Sequence, residues 1–112
     1  MRKWETFKNM RPAVKQPRVT ISTGGTVHIN FPAFILMGEP EAVLLLFDRQ
    51  TNEIGLQPVK AKILSARAVK KQKRSRNWVI STKAFLNHYG VDYSRKVDLR
   101  MTIENDIVIL SA

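Results

Sequence analysis

The chain has 112 residues, 44% of them hydrophobic, no cysteine and a net charge of +10. That size fits one domain with one core, the absence of thiols excludes disulfides, cysteine nucleophiles and thiolate metal sites, and the apolar runs Phe31 to Gly38 and Ala42 to Phe47 fall short of the ~20 residues of a membrane-spanning helix. The charge is segregated: residues 1–18 hold six Lys or Arg against Glu5, residues 60–76 hold eight with no acid, and the remainder is weakly acidic. Such segregation suits a polyanionic partner better than a uniformly basic surface would.

In chain order, residues 1–17 read as a basic N-terminal arm. They lack the apolar stretch and cleavage site of a secretory signal, and Pro12 and Pro17 disfavour a regular helix. Arg18 to Ser22 reads as a strand joined by Thr23-Gly24-Gly25, whose glycines accept the positive φ of a hairpin, to a second strand at Thr26 to Ile29. Pro32 opens a short helix that ends at Gly38. Phe34, Ile35, Leu36 and Met37 are apolar all round and are expected to be buried. Val43 to Phe47 is apolar on both faces and reads as a strand covered on both sides. After polar Asp48 to Glu53 comes its partner, Ile54-Gly55-Leu56.

The same order then recurs after about 52 residues. Lys62 to Val69 reads as the opening strand and Trp78-Val79-Ile80 as the next. A helix over Thr82 to Gly90 follows, capped by Ser81 or Thr82. Ala33-Phe34-Ile35 lies over Ala84-Phe85-Leu86, with a one-residue gap before the matching glycines. In the last hairpin Val97, Leu99, Met101 and Ile103 alternate with Asp98, Arg100 and Thr102. Asn105-Asp106 supplies the turn, and Ile107 to Leu110 is the return strand. The expectation is one mainly β domain over 18–112, with two short helices and two repeats, 18–59 and 60–112.

Val79-Ile80-Ser81-Thr82-Lys83-Ala84-Phe85-Leu86-Asn87-His88-Tyr89-Gly90-Val91, Lys96 to Leu99 and Ile103 to Ile109 together resemble the repeating element of the AbrB/SpoVT superfamily. Thr26 to Gln57 is a looser copy. The resemblance covers about two-thirds of the chain. It implies a small pseudo-twofold barrel of the double-psi, swapped-hairpin or cradle-loop type, as in MraZ-like proteins that carry two copies. It also implies DNA binding by basic residues on loops and strands.

The sharpest candidate site is the run Val69 to Asn77, read as a lengthened hairpin loop. Lys70, Lys71, Lys73, Arg74 and Arg76 there can neutralise phosphates and release counterions, against the plainer reading of a solvated loop. The basic arm could add phosphate contacts. His28 and His88 lack metal-ligand spacing and read as structural, and Thr23-Gly24-Gly25 is too short for a phosphate loop. Trp4, Trp78, Tyr89 and Tyr93 read as packing residues rather than base-stacking platforms.

The expected function is therefore that of a non-enzymatic, cofactor-free, cytoplasmic DNA-binding protein, an AbrB-like transcriptional regulator. Duplex DNA is the expected partner, with homo-oligomerisation allowed and no membrane. Alternatives are an RNA-binding barrel and a protein-interaction or self-assembly module, the latter motivated by exposed strand edges and by Ile54, Leu56 and Leu110.

Overall fold

The computed structural model describes residues 16–112, so the expected arm lies outside the described residues apart from Gln16 and Pro17. Nine strands and two helices follow: β1 (Val19–Ile21), β2 (Thr26–Asn30), α1 (Phe31–Leu36), β3 (Ala42–Asp48), β4 (Glu53–Val59), β5 (Arg67–Ala68), β6 (Lys70–Lys71), β7 (Asn77–Ser81), α2 (Lys83–His88), β8 (Val97–Glu104) and β9 (Ile107–Ser111). The strands form one antiparallel sheet in the order β5-β3-β4-β9-β8-β1-β2-β7-β6, nearly closed into a barrel. The chain is thus a mainly β barrel with two short helices.

Each pairing in the first half has a counterpart in the second. β1 pairs with β2 as β6 pairs with β7. β3 pairs with β4 as β8 pairs with β9, and β1 lies against β8 as β5 lies against β3. The pairs β2–β7 and β4–β9 bring the halves together. The two edge strands of the sheet, β5 and β6, are separated by a single residue, Val69. Its N–H donates to Glu41 O at 3.0 Å, so one bent segment is paired to both sides of the seam. No regular strand runs over Lys62 to Val69 as the periodicity suggests. Residues 60–66 are turn, and pairing starts only at Arg67.

Burial follows strand alternation. Val19, Ile21, Val27, Ile29, Val43, Ile54, Leu56, Ile80, Val108 and Leu110 fill the interior. Ile54 is 4%, Leu56 0% and Leu110 1% exposed, so these are core residues and not the exposed edge positions expected of them. On β3, Leu45 and Phe47 pack against the core, whereas Leu46 faces outward and is exposed. That strand is therefore not covered on both sides. Ile103 at the far end of β8 projects beyond the core and is also exposed.

The turns follow local chemistry. Asn105 and Asp106 take φ of 49° and 65° between the paired Glu104 and Ile107, the two left-handed residues of a type I′ hairpin. Gly38 and Gly90 end the helices at φ of 86° and 67°. One turn and a half of helix can offer only one face to the barrel. In α1 that face is Ala33, Phe34 and, just after it, Met37, while Ile35 and Leu36 point away and are exposed, contrary to the expectation of a fully buried plug. In α2 Leu86 alone is buried. Glu39 N bonds Phe34 O just as Val91 N bonds Leu86 O, so Phe34 matches Leu86, one residue away from the sequence overlay of Phe34 on Phe85.

The two helix starts differ. Asn30 caps α1 through Oδ1, which accepts from Ala33 N at 3.0 Å and from Arg18 N at 2.9 Å, while Nδ2 donates to Gln16 O at 2.8 Å. Asn30→Ala removes the cap and two bonds that hold the start of β1, and should cost about 2–3 kcal/mol in a urea titration. Asn30→Asp, which keeps the acceptor, should cost less than half of that. Thr82 is the N-cap of α2 by position, but neither it nor Ser81 makes a side-chain cap bond. The Thr82 hydroxyl is buried and donates instead to Gly25 O at 2.8 Å, tying α2 to the β1–β2 turn.

Candidate nucleic-acid interface

The first half of the basic segment, residues 61–69, is held at both ends by one residue. Glu41 Oε1 accepts from Ala61 N at 3.1 Å, and Glu41 O accepts from Val69 N. Between these anchors Ile63 and Leu64 are exposed, Leu64 at 90%. Beyond Val69, Lys70 and Lys71 are not loop residues as expected. They form β6, with Lys70 opposite Val79 and Lys71 opposite Trp78. The projecting turn is therefore shorter, Gln72 to Arg76, closed by Gln72 N to Asn77 O at 2.8 Å and with Arg74 at φ 62°.

All five cations are exposed, yet they do not share one face. Successive residues of a strand point to opposite sides, so Lys70 lies on the outer wall with Val79 and Lys71 lies on the side of Trp78. Arg76 places its guanidinium 5.4 Å from the centre of the Phe31 ring, and this cation–π contact turns it toward α1. Lys73 and Arg74 occupy the tip. The arrangement is a cationic ridge that wraps around one corner of the barrel, without a carboxylate anywhere in residues 60–76.

Aromatic residues pack as a pair of clusters. Trp78 stacks on Phe34 with centroids 4.0 Å apart and on Phe31 at 5.8 Å. Tyr89 stacks on Phe47 at 4.5 Å, with Phe85 beside both, and Tyr93 donates its hydroxyl to Asn87 Oδ1 at 2.6 Å. Trp4 lies outside the described residues.

A second feature is not apparent from sequence. Across the outer wall, Asp98, Thr20, His28, Val79 and Lys70 stand in one register row through β8, β1, β2, β7 and β6. Over this wall opens a cleft of about 610 Å³ whose lining includes Arg18, Thr20, Ser22, His28, Asn77 and Lys96, with no carboxylate among the described residues. The signal that could have found it is the polar alternation Thr26, His28, Asn30 on β2. Its partners Arg18 and Lys96 come from strands far apart in sequence, and only the register joins them.

Among the described residues no helix is long and apolar enough to cross a membrane. The strand pairings, the ridge and the cleft describe the chain by themselves, because comparison with protein families, with curated proteins and with solved structures finds no match.

Proposed function

We propose that the chain binds duplex DNA, with Lys70, Lys71, Lys73, Arg74 and Arg76 contacting backbone phosphates, in the manner of a non-enzymatic AbrB-like regulator. The observation that carries the reading is the acid-free cationic ridge, presented from a seam hydrogen-bonded on both sides. Holding Lys70 and Lys71 on a paired strand, and Lys73, Arg74 and Arg76 in the short turn between two paired strands, reduces the ordering entropy lost on binding, and each phosphate neutralised releases condensed counterions. The resemblance of Trp78 to Leu110 to the superfamily element belongs to this proposal and gains no support from the comparisons.

The test is fluorescence anisotropy with a labelled duplex of about 20 base pairs at about 50 mM salt, challenged by unlabelled duplex DNA, duplex RNA and single strands. Binding displaced most effectively by duplex DNA is expected. A ridge reading mainly A-form geometry would be displaced best by duplex RNA, which would overturn the DNA assignment. No binding at low salt would overturn the reading altogether.

A further inference from the structure

The five cations of the ridge leave the cleft on the barrel wall without a role. Its charged lining comes from Arg18, at the start of β1, and Lys96, at the start of β8, both exposed. Thr20 and Ser22 add hydroxyls and His28 adds an imidazole. The Asn30 side chain also borders the cleft, but its oxygen and nitrogen are committed to Ala33, Arg18 and Gln16. It positions the Arg18 backbone and does not serve as a ligand group. Asp98, the acid of the register row, stands beside Thr20 but does not line the cleft.

We propose that this cleft is a second phosphate site, which binds the sugar-phosphate backbone of the same duplex that the ridge engages. The inference rests on the DNA-binding reading and extends it to residues outside the basic segment. Two features point to it. First, Lys70 shares the register row of Thr20 and His28, so the wall runs without interruption from ridge to cleft. From β1 to β6 are three strand spacings, roughly 14 Å along the sheet, comparable with the ~12 Å width of a B-form major groove. Two cationic sets that far apart, with His28 and Val79 between them in the row, match two rows of phosphate.

Second, among the described residues the wall offers no platform for unstacked bases. Single-strand binding surfaces stack bases on aromatic rings, and apart from the His28 imidazole the cleft lining holds no aromatic side chain among the described residues. Phe31, Phe34 and Trp78 are stacked together around α1, and Phe47, Phe85 and Tyr89 form the other cluster. A wall of cations, hydroxyls and imidazole suits oxygen-rich backbone, and phosphate contacts position a protein on the duplex without reading its sequence.

The test uses the full chain, isotopically labelled, titrated with an unlabelled duplex of about 20 base pairs and separately with one of its strands, with amide shifts followed by NMR. Amides of Thr20, Ser22, His28 and Asn77 are expected to move together with those of residues 72–76. The exposed double variant Arg18→Gln/Lys96→Gln should keep the wild-type spectrum elsewhere, lose about tenfold in affinity and lower the salt slope by about two. Shifts confined to the turn, with the double variant binding as wild type, would overturn the cleft while leaving the ridge intact. Equal affinity for the single strand would overturn its assignment to duplex. No shift anywhere at high duplex concentration would overturn ridge and cleft together.

Discussion

Val69→Pro is expected to open the barrel at its seam and to lower the unfolding free energy by roughly 3 kcal/mol. Val69 is the one residue between β5 and β6, the strands at the two ends of the sheet order. Its N–H is bonded to Glu41 O, and its side chain packs against the core. Proline removes the donor and leaves a carbonyl of the β3 side without its partner. β5 and β6 pair over only two residues each, too few to compensate. Val69→Ala keeps the donor and trims only part of a half-buried side chain, so it should cost about 1 kcal/mol. Urea unfolding of the two variants, with hydrogen exchange at β5, β6 and the facing ends of β3 and β7, separates lost backbone pairing from lost packing. Equal destabilisation by alanine and proline would mean that the seam bond contributes nothing.

Replacing Lys70, Lys71, Lys73, Arg74 and Arg76 together by glutamine should weaken duplex binding at least about a hundredfold at moderate salt. Each cation lost from a phosphate contact removes close to one unit of salt slope, and affinity falls roughly in step. All five side chains are exposed, and exposed substitutions away from special features change stability by only about half a kcal/mol. Arg76 also loses its contact with Phe31, a weak interaction at the surface. The variant should therefore unfold at nearly the wild-type urea concentration while its binding collapses. Unchanged affinity in a folded variant would remove the ridge from the interface.

Much of the architecture is legible in the chain because it is written in local chemistry. Gly38 and Gly90 stop helices, Pro32 starts one, Asn105-Asp106 makes a tight turn, and the alternation from Val97 to Met101 marks a half-buried strand. What the sequence hides depends on register between distant strands. Leu56 and Leu110 look like edge residues until β4 is found against β9, where both become interior. Lys62 to Val69 has the composition of a strand, but only Arg67 and Ala68 find partners on β3. Lys70 and Lys71 look like loop because β6 exists only through its pairing with β7. The cleft is hidden for the same reason, since only the β8–β1–β2 register sets Arg18 at one end of β1 and Lys96 at the other on the wall that carries His28. Thr82 shows a competing partner overriding a local rule: a residue type suited to capping α2 is drawn instead to Gly25 O.

The most direct test is the dependence of duplex affinity on salt for the wild-type chain, between about 50 and 200 mM. Five phosphate contacts from the ridge predict a log–log slope of about −4.5 or steeper, a loss of a few hundredfold across that range. A flat dependence, with affinity unmoved by salt, would contradict phosphate recognition by this barrel.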